Sequence, residues 1–201
     1  MTSTLAALMM IAAATSDPCE DMMAGRAIPT ISAEAFSLKM EAAAPDPKSE
    51  YETTAAYEAR SNQKLQAFLS DNPYIAFRKE IIYPFRYNAD TQQLSYQDSE
   101  YSCDRAQSKK RQCSIYGGRS LFGLKSYQIS FTPPSHDFTP YPNISASPDR
   151  AREIRNYLEL IMVVVPEAPY LIKERQVFVD FQQITLPVRL LCTGWTIKTE
   201  H

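Results

Sequence analysis

The chain has 201 residues, 44% of them hydrophobic and 22% charged, which suits one domain with a sizeable core and excludes a disordered polymer. A net charge of −2 gives no overall pull towards nucleic acid or an anionic membrane. The charge is divided, however: residues 1–100 carry 8 basic and 14 acidic groups, and residues 101–201 carry 13 and 9.

The first segment, M-T-S-T-L-A-A-L-M-M-I-A-A-A-T-S, has no charged side chain before Asp17 and a ten-residue apolar run, Leu5–Ala14. That run is about half the length a membrane-spanning helix needs, and it fits the apolar region of a secretory signal. Ala14-Thr15-Ser16 supplies small residues for cleavage before Asp17. Residues 1–16 therefore read as a cleaved signal peptide, although no Lys or Arg precedes the apolar run. Asp17 and Pro18 stand where a lipid-modification motif before Cys19 would need small residues. Nothing later is apolar for long enough to span a membrane, so the mature chain is expected to be exported to a periplasmic or extracellular space without a transmembrane segment.

Asp17-Pro18-Cys19-Glu20 places an N-cap, a proline at the first helical position and a glutamate three residues on, predicting a short helix closed by Gly25. Residues 26–48 form an Ala/Pro-rich connector, within which S-A-E-A-F-S-L-K-M-E-A-A-A can coil into a second helix. Ser49-Glu50-Tyr51-Glu52 repeats the capping pattern and opens the longest helical signal. Its expected buried stripe is Tyr51, Ala55, Leu65, Phe68 and Leu69, and Asp71-Asn72-Pro73 stops it. From Tyr74 the texture is β. A hairpin is expected around Asn88-Ala89-Asp90, with Pro84 at an edge or bulge, and a second hairpin at Gly117-Gly118. Ser147-Pro148-Asp149 starts a short helix with Ala151, Ile154 and Leu158 inward, leading into the buried strand L-E-L-I-M-V-V-V-P-E. In the final segment the apolar phase is odd at Val177, Val179 and Phe181, and even from Ile184 to Leu190. That predicts a bulge or turn near Gln182-Gln183 or Pro187. Residues 49–201 thus read as a single α+β domain. N-terminal helices are followed by a mostly antiparallel sheet, with one short helix before the last two strands.

Four cysteines, Cys19, Cys103, Cys113 and Cys192, follow the export signal; an even count predicts two disulfides with three possible pairings. Cys103 and Cys113 bracket a polar stretch between β segments, so local closure is the simplest choice, leaving Cys19 with Cys192. The bracketed loop, C-D-R-A-Q-S-K-K-R-Q-C, crowds Arg105, Lys109, Lys110 and Arg111 together. It is a candidate contact for an acidic protein, a glycan or lipid headgroups, and equally reads as a solvated hairpin tip. No helix presents these cations, so nucleic acid is not expected as a partner. The nine-residue gap lacks the close ligand pairs of a structural zinc site, and no C-x-x-C is present for thiol exchange, so neither a metal nor another cofactor is expected.

Catalytic machinery is not identifiable. Besides the terminal His201, His136 in P-P-S-H-D is the one imidazole, and its neighbours Ser135 and Asp137 cannot form a triad with it. There is no G-x-S-x-G, phosphate loop, dinucleotide fingerprint or H-E-x-x-H. Tyr74, Tyr83, Tyr87, Tyr96, Tyr101, Tyr116 and Tyr127 sit at strand spacing, where half-buried sheet positions compete with a sugar- or peptide-binding face. Asn143-Ile144-Ser145 fits a glycosylation sequon, which matters in a eukaryotic secretory pathway. The expected role is an exported, disulfide-stapled binding or accessory module. The alternative is a small secreted or periplasmic hydrolase using carboxylates or His136.

Overall fold

In a computed structural model of the protein, the apolar run of residues 158–166 forms a strand buried along most of its length. The model describes residues 17–79, 81, 84–96, 102–103, 113–119, 125–133, 138–167, 171–175 and 182–198. This strand, labelled β9 (Leu158–Pro166), buries residues on both faces: Leu160, Met162 and Val164 on one, Ile161 and Val163 on the other. A strand with two apolar faces needs cover on both, and the rest of the fold supplies it.

Beside β9 lie β2 (Ile75–Lys79) and β11 (Gln182–Ile197), both antiparallel to it. The remaining members are β1 (Ile31–Ser32), β5 (Ser102–Cys103), β6 (Cys113–Arg119), β7 (Lys125–Phe131) and β10 (Leu171–Arg175). The sheet order is β1-β2-β9-β11-β7-β6-β5, with β10 also paired to β11. Two pairings are parallel, β1 with β2 and β7 with β11, and the others are antiparallel. A small second sheet of β3 (Arg86–Asn88), β4 (Gln93–Ser95) and β8 (Ile144–Ser145) runs in the order β3-β4-β8. The architecture is α+β with a mostly antiparallel sheet, as the segregated pattern of the sequence predicts.

The sixteen-residue β11 is shared by two groups of strands. Its residues 182–188 pair with β7, while residues 188–197 pair with β9. On the β9 side, Pro166 faces Val188 and Leu171 faces Thr185, so two extra residues separate β9 from β10 within one long hairpin arm. The irregularities lie partly where the sequence suggests. A register shift between Lys173 and Arg175 sits opposite Gln182-Gln183, but pairing with β7 runs evenly through Pro187. The consequential shift is at Leu191, between Leu190 and Cys192, which the apolar phase up to Leu190 does not reveal.

Leu191 is an inserted residue, and it exchanges the faces of everything after it. Ile184, Leu186, Val188 and Leu190 enter the main core; beyond the insertion Trp195 packs against that core, whereas Cys192 joins the opposite cluster. The hairpin of β6 and β7 also differs from expectation. Gly117-Gly118 lies inside β6 with a register shift between Tyr116 and Gly118, and the connection falls on residues 120–124, outside the described residues.

Helices cover both faces. α2 (Ala33–Ala43), capped by the Ser32 hydroxyl accepting from the Ala35 N–H, places Phe36 and Met40 one turn apart on the main core. Phe36 stacks on Phe77 with ring centroids 4.6 Å apart, and Tyr127 donates to Glu41 Oε2 at 3.0 Å, so α2 is held by packing and by a buried phenol. α1 (Pro18–Met23) lies over the other face, where Cys19 and Met22 pack against Ala76, Ile161 and Val163. The fit is close: a Cβ on Gly194 would come within 2.8 Å of Met22 Sδ, so a side chain there would displace the Met22 thioether. α4 (Pro148–Ile154), capped by Ser147, buries Ala151 and Ile154 and leaves its arginines in solvent; Leu158 belongs to β9.

α3 (Thr54–Asp71) begins later than the Ser49 capping pattern implies. Thr53 is the N-cap, accepting from the Ala56 N–H at 3.2 Å, and Ser49-x-x-Glu52 instead closes a turn ahead of the helix. Tyr51 is therefore outside the buried stripe and 91% exposed, while Ser61 and Leu65 are buried and Phe68 packs at the core's edge.

Because Leu191 is the extra residue in this ladder, deleting it should leave Leu190 opposite Val164 and Cys192 opposite Val163 in a regular strand, with the two residues on opposite faces and the bond to Cys19 kept. Thiol alkylation followed by peptide mapping should therefore find Cys19 and Cys192 bonded both in the deletion variant and in Leu191→Ala. Free Cys19 and Cys192 in a folded deletion variant would contradict the face assignment.

Candidate functional site

Cys19 lies in the first turn of α1 and Cys192 immediately after the Leu191 insertion; they form a disulfide with Cα atoms 5.9 Å apart across 173 residues of sequence. The bond links the first described helix to the last strand, as pairing the cysteines by elimination suggests. Cys113, buried at the start of β6, is also disulfide-bonded, and Cys103 is its cross-strand partner in the β5–β6 ladder. These two residues form the root of the basic stretch. Arg105, Lys109, Lys110 and Arg111 themselves lie outside the described residues, as does His136.

The tyrosine set does not form one exposed face. Tyr127 and Tyr96 are buried, and Tyr74 and Tyr87 are half-buried; Tyr83, Tyr101 and the Tyr116 side chain lie outside the described residues. Tyr96 joins Phe85, Tyr141 and Trp195 in an aromatic cluster with centroid separations from 4.9 to 6.3 Å. The Trp195 indole N–H donates to the Pro142 carbonyl at 2.6 Å, and buried Lys79 places its ammonium 5.9 Å from the Tyr141 ring centroid. Such an arrangement fixes the 138–142 segment to β11 and serves packing.

A second polar constellation went unread in the sequence. The turn ahead of α3 and the first turns of the helix enclose an open depression of about 730 Å³, lined by Asp46, Ser49, Tyr51, Glu52, Thr53 and Arg60 among others. Arg60 grips Glu52 with two bonds, Nε to Oε1 at 3.1 Å and Nη2 to Oε2 at 2.9 Å, and also donates to the Asp46 carbonyl. Lys48 donates to Thr54 Oγ1 and Lys64 to the Ala44 carbonyl, so three cations fasten the connector to α3. The Ser49-x-x-Glu52 spacing was the available signal; Arg60, eight residues further, was not, because the pairing needs the turn and the helix together.

The hydrogen bonds from Arg60 hold the Glu52 carboxyl below its ordinary range against the opposing desolvation, and the same pairing raises the Arg60 guanidinium. A general acid needs the reverse shift, so Glu52 at neutral pH is a permanent acceptor. The Glu52–Arg60 pair fixes the turn against the helix beside the exposed Tyr51 ring. Among the described residues no group of His, Cys, Asp and Glu is arranged to hold a metal ion, and no helix is long and apolar enough to cross a membrane.

The sign of the Glu52 shift sets its pH dependence. Its contribution is present above the unfolded glutamate value of about 4.3 and is lost as pH falls through the lower folded value. Glu52→Gln should therefore flatten part of the acid limb of a stability-versus-pH curve while leaving the neutral fold intact by circular dichroism. Superimposable acid limbs would remove the ion pair from consideration. In comparisons with known proteins, the chain matches no family model, no curated protein and no solved structure.

Proposed function

We propose that this chain is an exported accessory module that acts by binding, with its two pairs of cysteines as crosslinks. The Cys19–Cys192 bond carries this reading. In the chain-entropy account, closing a loop of that length stabilises the fold by about 5 kcal/mol, against typical net stabilities of about 5–15 kcal/mol. A protein that draws so large a share of its stability from one disulfide needs a compartment that preserves it, and the reducing cytoplasm does not. Cleavage between Ser16 and Asp17 fits the same reading, since Asp17 serves as the N-cap of α1 and accepts from the Cys19 N–H at 2.8 Å.

Cys103 and Cys113 are the second crosslink in this proposal. Their closure holds Arg105, Lys109, Lys110 and Arg111 in one short loop at the root formed by β5 and β6, the sheet's terminal pair. Four cations within seven residues suit an anionic counterpart: an acidic protein surface, a sulfated or carboxylated glycan, or lipid headgroups.

Two experiments bear on the proposal. Mass spectrometry of the mature protein with non-reducing peptide mapping should give an N-terminus at Asp17 and Cys103 linked to Cys113; a retained Met1 with free thiols would end the export reading. Charge reversal at Lys109, Lys110 and Arg111 should leave the fold unchanged and reduce retention on an anionic matrix such as heparin or acidic-lipid vesicles at least several-fold. Undiminished retention by a folded variant would exclude the loop as the contact.

A further inference from the structure

Asn143-Ile144-Ser145 is the one Asn-x-Ser/Thr sequence in the chain, and the fold presents it outward. Ile144 lies opposite Leu94 in the β4–β8 pair and packs partly buried against the main core. In an extended strand residues i and i+2 share a face, so Asn143 and Ser145 both project away from that core. Both are exposed. The Asn143 amide makes a single long contact, to Gln93 Oε1 at 3.5 Å, at the limit of a hydrogen bond. The Ser145 hydroxyl, two residues on, makes none among the described residues. Among the described residues β8 is also the terminal strand of its sheet, with one edge paired to no other strand.

We propose that Asn143 is an acceptor for an N-linked glycan when the chain passes through a glycosylating secretory compartment, a site that would shield the β8 edge. This rests on the export reading above. The donor class is an oligosaccharide on a polyprenyl diphosphate. Asn143 Nδ2 forms a bond to the sugar C1, the C1–O bond to the diphosphate breaks with its electron pair leaving on the diphosphate, and the Nδ2 proton passes to base. The carboxamide stays intact, and the Ser145 hydroxyl is the sequon's recognition element.

The test uses the full chain expressed in eukaryotic secretory cells in two arms, one relying on its own N-terminus and one preceded by a strong secretory leader. Formation of the Cys19–Cys192 bond reports entry into the lumen. The expected result is one discrete upward mass shift, removed by peptide-N-glycosidase with conversion of Asn143 to aspartate. The shift should be lost in Asn143→Gln and Ser145→Ala and retained in Ser145→Thr. A shift in the leader arm alone would remove the export reading and keep the acceptor site. Oxidised, lumenal protein with an unmodified Asn143 would overturn the inference.

Discussion

The structure depends on the pairing of β11 with β9 and on the one extra residue within it. Were Leu191 paired as a regular member of the ladder, the even-numbered positions of β11 would all face the main core, Cys192 among them, and Trp195 would turn away from its aromatic partners. With Leu191 as the extra residue, a single strand serves two layers in succession. Leu190 and the residues before it fill the main core, Cys192 reaches through to α1, and Trp195 returns to anchor the 138–142 segment. Strand bulges are local in sequence but reassign every side chain downstream, because the side-chain period is two.

The two faces of the sheet are covered in different ways. The main face is closed by large apolar area: Phe36, Met40 and Phe77, the aromatic cluster around Trp195, and the small second sheet. Among the described residues the opposite face carries three buried residues, Ala76, Ile161 and Val163, with Cys19, Met22, Ile28, Tyr74 and Cys192 packed against them beneath a six-residue helix. Burying so little area contributes a few kcal/mol, which is modest against the entropy of ordering the segment. The covalent link from Cys19 to Cys192 compensates, and it does so where Met22 seats directly on Gly194. A crosslink at that point makes a thin layer of packing sufficient.

The surface follows the same division of labour. At the start of α3 the ion pair of Glu52 and Arg60, with Lys48 and Lys64, fixes a connector that has little apolar area of its own. At the far edge of the sheet β5 and β6 pair Ser102 with Ser114 and Cys103 with Cys113. The Glu52–Arg60 pair holds its polar groups in fixed geometry between a turn and a helix.

Much of this was legible in the residues themselves. The caps at Asp17 and Ser147, the breaker at Asn72-Pro73, the turn at Asn88-Ala89-Asp90 and the apolar run of β9 are governed by neighbours a few residues away. Pairing Cys19 with Cys192 followed by elimination once Cys103 and Cys113 were assigned to each other. The sequence could not place the start of α3, since Ser49 and Thr53 both satisfy the capping rules and only the turn closed by Glu52 separates them. Nor could it reveal the Leu191 insertion, the parallel pairing of β7 with β11, or the grip of Arg60 on Glu52. Local backbone preference and periodicity determine which segments become helices and strands. Register, face and long-range ion pairs were decided by the tertiary structure, because they depend on which strand lies alongside and no short window of sequence contains that information.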